Sequence, residues 1–143
     1  MNPAPAASTS HGVVRLEIPA VAEWVAVARL AVAAVASRQR FSVDEIEDVK
    51  LAVAEACTNA IQHGTPDGSI SIVCEVSDEG LVLTVRDRGQ GPPLGAVEEE
   101  RIGEGGRTEE LGVFLIRALM DCVEYTSDVR DGTQLVMTKR VSG

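Results

Sequence analysis

Two pairs of alternating segments constrain the fold of this chain more than any other feature of its sequence. Residues 69–76, SISIVCEV, and residues 81–87, LVLTVRD, alternate apolar and polar side chains around the turn sequence SDEG. Residues 123–129 and 133–141 form a second pair around RDG. Alternation of this kind predicts β-strands, and a short polar turn between two strands predicts an antiparallel hairpin. Two hairpins exclude a doubly wound parallel sheet, because parallel neighbours need long crossover connections.

Three longer segments carry the helical period of apolar residues. The first, Ala20–Gln39, is rich in alanine, and one face is expected to hold its larger side chains, Trp24, Val27, Leu30 or Ala31, and Val35. The second begins at a capping-box pattern, Ser42 with Glu45 three residues later, and Gly64 is suited to end it. The third covers Leu111–Val123.

The order of these segments predicts the fold class. A short strand over Gly12–Pro19 precedes the first helix, so the order is β-α-α-β-β-loop-α-β-β. The economical arrangement is an α+β two-layer sandwich, with a mixed, mainly antiparallel sheet and three helices on one face. We expect residues 1–11 to be a disordered tail and residues 12–143 to form a single domain. Aromatic residues make up only 3% of the chain, so close packing of small side chains is expected.

Charge and cysteine content narrow the classes of function. The net charge of −9 argues against binding to a nucleic-acid backbone or to an anionic membrane. The spacing of Cys57, Cys74 and Cys122 matches no zinc or redox motif, so reduced thiols are expected. The N-terminus has no secretory signal, and no apolar run approaches the roughly 20 residues of a membrane span. A cytoplasmic location is therefore expected.

A row of polar residues interrupts the second helix. Glu55, Asn59 and His63 follow one another at intervals of four. Four residues advance an α-helix by about 6 Å and about 400°, so these side chains lie nearly above one another. The row is typical of the solvated edge of an amphipathic helix. It also fits a magnesium site, because Mg²⁺ favours one or two protein oxygens together with substrate phosphates.

A second polar motif follows the first hairpin. DRGQG, residues 87–91, ends a predicted strand and opens a glycine-rich segment that runs to the third helix. Asp and Gly also mark ordinary turns, so the motif alone has two interpretations. A glycine-rich approach to a helix N-terminus is suited to binding an anion, because free backbone N–H groups and the helix dipole both favour negative charge. The pattern of a Walker loop is absent.

Four motifs together resemble the Bergerat-type ATP-binding fold of gyrase and the histidine kinases. EACTNAIQHG, residues 55–64, resembles the N-box, and DRGQG resembles the first glycine box. LGVFLIRALMD, residues 111–121, resembles the second glycine box, and GTQLVMTKR, residues 132–140, resembles the closing strands. Within that superfamily, residues 13–141 are most similar to the small bacterial anti-sigma-factor serine kinases. Such kinases sequester a sigma factor and phosphorylate an anti-anti-sigma protein with a STAS-type domain.

The resemblance implies a role for each matching residue. Glu55 would be the general base toward a serine hydroxyl, and Asn59 would coordinate the Mg²⁺ that bridges the ATP phosphates. Asp87 would accept a hydrogen bond from the adenine amino group, supported by Thr133. Three glycines would allow close approach of the backbone, two beside the base and one at a helix N-terminus beside the phosphates: Gly89, Gly91 and Gly112. Residues 95–110 would form a lid over the phosphates.

Three further positions have a functional and a structural interpretation. His63 either contacts the lid or caps its helix, and Arg107 either reaches a phosphate or is solvated. Arg29 lies where the resembled family meets its partners, although a lone surface arginine is common. The alanine-rich first helix is suited to packing against a second copy of the chain as well as against its own core. A homodimer is therefore one of the expected assemblies.

The second glycine box departs from the family pattern. Glu110 stands where the family usually has a glycine, and Glu109 precedes it. Two like charges about 4 Å apart repel by roughly 1 kcal/mol in water and roughly 4 kcal/mol in a partly buried site. This departure leaves open a chain that regulates by partner binding alone, with weak or no catalysis. A second alternative also stays open, because an ATP-binding sensor domain within a larger kinase–phosphatase assembly would have the same composition.

Overall fold

The computed structural model describes residues 10–63, 68–87, 106–128 and 132–141. The five strands are β1 Ser10–Pro19, β2 Ser69–Ser77, β3 Gly80–Asp87, β4 Cys122–Asp128 and β5 Gly132–Arg140. The three helices are α1 Val25–Ala36, α2 Val43–His63 and α3 Gly106–Leu119, with a 3₁₀ turn at Ala22–Trp24 before α1. Both predicted hairpins are confirmed, as β2–β3 and as β4–β5.

The strands form one sheet in the order β1-β2-β3-β5-β4, and all four pairings between them are antiparallel. The helices form the second layer: α1 packs over β1 and β2, α2 over β3 and β5, and α3 over β4. The predicted α+β two-layer sandwich is confirmed. The sheet was expected to be mixed and mainly antiparallel, whereas every pairing among the described strands is antiparallel. Strand β3 lies at the centre, with two strands on each side.

The core lies between the sheet and the helices. In β2, the buried residues Ile70, Ile72 and Cys74 alternate with residues that are only partly covered. The helices contribute mostly small side chains, as the low aromatic content predicts: Ala28, Ala36, Ala52, Ala56 and Ala60 are all buried. Small side chains allow helices and sheet to approach closely at native packing density.

The start of α2 confirms the capping-box prediction. The Glu45 backbone N–H donates to the Ser42 hydroxyl at 3.0 Å, and the Ser42 backbone N–H donates to the Glu45 carboxylate at 2.8 Å. Two N–H groups that have no partner within the helix are thus satisfied reciprocally. This fixes the beginning of the helix that carries the polar row. Its predicted end at Gly64 lies outside the described residues.

The face of α1 that packs into the core differs from the expected one. The buried residues are Ala28, Val32, Val35 and Ala36. Trp24, Val27 and Leu30 are instead 41%, 40% and 66% exposed. Of the expected face only Val35 is buried. Alanines at the contact let α1 approach α2 more closely than larger side chains would, and the larger apolar residues remain on the outside.

The third helix begins and ends earlier than expected. It covers Gly106–Leu119 rather than Leu111–Val123, and Cys122 already begins β4. Glu109 and Glu110 extend the helix toward its N-terminus, because glutamate is a good helix former and acids near that end interact favourably with the dipole. At the other end, the Asp121 backbone N–H donates to the Thr138 carbonyl at 2.8 Å, which joins the chain to the sheet.

A buried lysine fixes α2 and α3 against each other. Lys139 on β5 is 9% exposed, and its Nζ donates to the carbonyl of Leu119 at 2.6 Å and to the carboxylate of Asp48 at 3.4 Å. A cation at the end of α3 satisfies a free carbonyl and interacts favourably with the helix dipole. Because Asp48 is near the start of α2 and Leu119 ends α3, the two helices run antiparallel.

All three cysteines are free, as expected. Burial raises the pKa of the Cys57 thiol to about 12 and that of the Cys74 thiol to about 11, whereas Cys122 is exposed. The two buried thiols therefore stay protonated at neutral pH and act as small apolar side chains. Within the described ranges, no helix has the length and apolarity needed to cross a membrane.

Candidate functional site

Helices α2 and α3 meet at a glycine beside two residues of the polar row. A methyl group placed on Gly112 would lie 3.4 Å from Oε1 of Glu55 and 3.6 Å from Oδ1 of Asn59. Both side chains are partly buried, and Gly112 is buried. The side-chain oxygens of Glu55 and Asn59 therefore lie within contact distance of one point on α3.

These two oxygens form a chemically distinct donor set. A carboxylate and an amide supply hard oxygen ligands, which suit Mg²⁺ when phosphate oxygens and water complete the octahedron. No group of three or more histidine, cysteine, aspartate or glutamate side chains in the described part of the chain is arranged to hold a metal. A metal at this point would therefore be shared with a bound ligand rather than enclosed by the protein.

A small cavity connects Asn59 with the end of the central strand. It is lined by residues of α2 and of three strands: Ala56, Asn59, Ala60, Val85, Asp87, Tyr125, Thr133 and Leu135. Its volume is about 20 Å³, enough for one water molecule. Asp87 is the last residue of β3 and only 3% exposed. A carboxylate so deeply buried is normally paired or hydrogen-bonded, because burial of an unpaired charge is costly. Asp87 therefore brings hydrogen-bond acceptors to a cavity wall that is otherwise largely apolar.

The sheet register explains why Asp87 and Thr133 share the cavity. Arg86 on β3 is paired with Gln134 on β5, and the two strands are antiparallel, so Asp87, which follows Arg86, lies beside Thr133, which precedes Gln134. Asn59 is common to this cavity and to the contact with Gly112. Five predicted residues, Glu55, Asn59, Asp87, Gly112 and Thr133, therefore belong to one continuous site.

Tyr125 is a cavity residue that the sequence analysis missed. It is the only tyrosine of the chain and lies on β4 opposite Leu135, another residue of the cavity wall. Residues directly opposite each other on neighbouring strands share a face of the sheet. The alternation of β4 together with the hairpin register would have identified it, but neither strand alone carries a signal.

The remaining predicted residues are placed only in part. Gly89, Gly91 and residues 95–105 of the expected lid lie outside the described residues. His63 ends α2 and Arg107 lies in the first turn of α3, but their side chains are not among those described. Because α3 begins at Gly106, Gly112 lies inside the helix and not at its N-terminus, which corrects the expected position. Arg29 is exposed on α1 and is not among the residues that line the cavity.

A second, larger cavity lies at the opposite end of the sheet. It has a volume of about 730 Å³ and is bordered by the start of β1, the end of α1 and the β2–β3 turn. None of the predicted site residues lines it. It is therefore separate from the site around Asn59.

Comparison with known proteins identifies the family. A family model described as the histidine kinase-like ATPase domain matches residues 18–139. The serine-protein kinase RsbW of Bacillus velezensis is 37% identical over 150 residues, which cover 95% of this chain and 90% of that protein. The chain belongs to this family of serine-protein kinases. The RsbW proteins of Listeria innocua and Halalkalibacterium halodurans are also 37% identical, covering 94% and 88% of this chain and 91% and 82% of their own lengths.

Membership of the kinase family agrees with the fold and with the resemblance in the sequence. The matched range contains every described residue of the continuous site, from Glu55 on α2 to Thr133 on β5. The family is one of ATPases, so the use of ATP is a property of the family to which this chain belongs.

Gly112 offers a direct test of the α2–α3 contact. Gly112→Ala should raise the free energy of unfolding by roughly 0.5–1 kcal/mol, because alanine replaces glycine inside a helix. The added methyl group would make ordinary van der Waals contacts with Glu55 and Asn59, at 3.4 and 3.6 Å, so the two helices should stay in place. It would also occupy the space beside the two oxygens through which a phosphate would approach them, so we expect ATP affinity to fall severalfold. Thermal unfolding and calorimetric titration measure the two effects. A variant with unchanged ATP affinity would show that the nucleotide does not use this contact.

Proposed function

We propose that this chain is an ATP-dependent anti-sigma-factor kinase, which binds a sigma factor and phosphorylates a serine of an anti-anti-sigma protein. The observation that supports this most is the convergence of the Glu55 and Asn59 oxygens on Gly112, continuous with the cavity that contains Asp87. Membership of the serine-protein kinase family supports the reaction type. A cytoplasmic location is part of the proposal, because a sigma factor acts there on RNA polymerase.

Four residues of the continuous site have a proposed task in the reaction. Asp87 would accept the hydrogen bond of the adenine amino group, with Thr133 beside it, and would so orient the base against this end of the sheet. Asn59 would hold the Mg²⁺ that neutralises charge on the phosphates. Phosphoryl transfer requires mainly positioning and charge neutralisation, so few protein groups need to react.

Glu55 would act on the attacking serine. The serine oxygen forms a bond to the γ-phosphorus as the bond from that phosphorus to the bridging oxygen breaks and ADP leaves. The serine proton passes to the Glu55 carboxylate. Glu55 lies one helical turn from Asn59, so the proton acceptor and the proposed magnesium ligand are held on one rigid element.

The outer face of α1 is the proposed contact for partners. It presents Trp24, Val27 and Leu30, each at least 40% exposed, with Arg29 also exposed beside them. These apolar side chains are available to a sigma factor or to a second copy of the chain. A homodimer through this face is part of the proposal.

The proposed function is tested by phosphorylation of a protein substrate. The purified chain is incubated with Mg-ATP and, one at a time, with purified STAS-domain proteins of the same organism. We expect one of them to gain a single phosphoserine, identified by mass spectrometry. Absence of phosphoserine in all of them, while ATP is bound, would contradict the kinase function.

Regulation by partner binding alone is the second candidate function, and Glu110 favours it. Glu109 and Glu110 lie in the first five residues of α3, close to the helix end that is suited to phosphate. Their charge would weaken phosphate binding if it faced the nucleotide. In that case we expect the chain to capture a sigma factor equally well with and without ATP.

A further inference from the structure

Lys139 is a buried charged residue that the proposed reaction does not use. Two charged residues are buried in the described part of the chain, and of these Asp87 belongs to the proposed nucleotide site whereas Lys139 does not. The Lys139 Nζ donates to the Leu119 carbonyl at 2.6 Å and to the Asp48 carboxylate at 3.4 Å. Burial of an ammonium group is costly, and an apolar side chain of similar volume is often equally stable at such a position. Stability alone therefore gives little reason for a lysine here.

The strand that carries Lys139 also carries part of the small cavity wall. Leu135, Met137 and Lys139 are all buried and follow one another at intervals of two, so they lie on the face of the sheet that the helices cover. Thr133 and Leu135 line the cavity at the start of this row. Six residues of a strand extend about 20 Å, so Lys139 lies at the far end of β5 from Thr133. Its contacts are with the helices and not with the cavity.

The Lys139 contact and the Gly112 contact have the same spacing on both helices. Asp48 precedes Glu55 by seven residues on α2, and Leu119 follows Gly112 by seven residues on α3. Seven residues are two helical turns, about 10.5 Å, and return to nearly the same face of the helix. Because α2 and α3 run antiparallel, the two contacts lie two turns apart on each helix. Lys139 therefore joins the helices in the same register in which Glu55 meets Gly112.

The hydrogen bonds of Lys139 define this register more sharply than apolar packing does. Apolar burial is non-directional, and Gly112 presents no side chain to α2. A slip of one residue would move one helix by about 1.5 Å along the other. Such a slip would break hydrogen bonds to a common nitrogen, because these bonds depend steeply on distance and angle. A single buried polar residue sets the register of packed helices in this way in coiled coils.

We propose that Lys139 is a positioning residue for phosphoryl transfer, which fixes the register in which Glu55 faces Gly112 by joining the start of α2 to the end of α3. The inference rests on the proposed kinase function. Phosphoryl transfer depends mainly on positioning, and displacement of a reacting group by about 1 Å costs about 100-fold in rate. A slip of one residue exceeds that displacement. Loss of Lys139 should therefore slow the chemical step, although the lysine lies far from the cavity.

The test compares Lys139→Met with the wild-type chain, using the anti-anti-sigma protein that is phosphorylated in the assay above. Methionine keeps an unbranched side chain but donates no hydrogen bond. We expect the single-turnover rate at saturating ATP and protein substrate to fall about tenfold or more, while the half-saturating concentration of the protein substrate stays within about twofold. Lys139→Arg retains a charged donor and should restore most of the rate.

Two further variants make the test specific. Lys50→Met is the matched control, because Lys50 is the only other lysine of the chain and pairs with Glu47 of the same helix at 3.0 Å. It joins no two elements through this pair, so its rate should equal that of the wild type. Asp48→Ala removes the partner on α2 at a partly exposed position and should lower the rate about threefold or more. Thermal unfolding shows that each variant is folded at the assay temperature, so that lost stability does not lower the rate.

The outcomes separate the positioning role from the kinase function. A wild-type rate in Lys139→Met or in Asp48→Ala would overturn the positioning role and leave the kinase function intact. An equal loss in Lys50→Met, or a loss in Lys139→Met that arginine does not restore or that appears only in the half-saturating concentration, would overturn it as well. If Lys139→Met does not fold, the rate of Asp48→Ala decides between the two results. If the wild-type chain phosphorylates no candidate protein, the kinase function fails and the positioning role fails with it.

Discussion

Replacing Glu55 with glutamine is expected to slow phosphoryl transfer to the protein substrate at least about 100-fold, because a positioned general base typically contributes 10²–10⁴ in rate. Glutamine has nearly the same shape as glutamate, so the contact with Gly112 is retained, but its amide cannot accept the serine proton. The Kd for ATP should stay within about twofold of the wild-type value. Single-turnover kinetics and calorimetry measure the two quantities separately.

Glu47→Gln is the matched control for this substitution. Glu47 lies two turns earlier on the same helix, is exposed, and forms a surface ion pair with Lys50 at 3.0 Å. Exposed pairs of this kind contribute little to stability, so the control should behave as wild type. A Glu55→Gln variant with wild-type turnover would assign the proton transfer to another group.

Gly80→Ala is expected to lower the free energy of unfolding by about 3 kcal/mol, which is large against a total of about 5–15 kcal/mol. Gly80 begins β3 with a φ of 152°, a conformation that side chains rarely adopt. A Cβ atom there would overlap the backbone carbonyl oxygen of Lys139 and lie 2.9 Å from the Cα atom of Arg140. To remove this overlap, the start of β3 would have to separate from the end of β5, since Gly80 is paired with Arg140.

The same substitution would disturb a second connection. Nε2 of Gln39 donates to the carbonyls of Ser77 and Gly80, each at 2.7 Å, and so ties the segment after α1 to the hairpin turn. Gly12→Ala is the control, because nothing lies within 4 Å of a Cβ atom at Gly12. We expect the midpoint of thermal unfolding to fall by roughly 6–12 °C for Gly80→Ala and to change little for Gly12→Ala. Equal midpoints would contradict this account of the turn.

Local patterns predicted most of the fold. Alternation identified both hairpins, and the Ser42–Glu45 pair marked the start of α2 correctly. The buried face of α1 was predicted wrongly because apolar residues surround this helix, so periodicity selects no unique stripe. The choice between faces depends on how closely alanines let α1 approach α2, which is a tertiary effect. The early start of α3 was not predicted, because glycines precede it and glycine has a low helix propensity.

The candidate site was likewise predictable from local patterns only in part. The interval from Glu55 to Asn59 follows from helix geometry alone, and the structure brings both oxygens to Gly112. The proximity of Asp87 to Thr133 depends on the register of β3 against β5, which no local pattern fixes. It was predicted only through the resemblance to a known family. Tyr125 was missed because its place in the cavity needs the register of β4 as well.

Glu55 and Asn59 on α2 and the buried Asp87 are proposed to form one ATP site. Calorimetric titration with ATP and Mg²⁺ tests it most directly, with the wild-type chain, Asp87→Asn, and Asp121→Asn as the same chemical change at the other end of the sheet. We expect a Kd of about 10 μM or tighter for the wild type and for Asp121→Asn, and a loss of about 100-fold or more for Asp87→Asn, equivalent to about 2.7 kcal/mol. Absence of binding by the wild-type chain, or full binding by Asp87→Asn, would contradict an ATP site at this position.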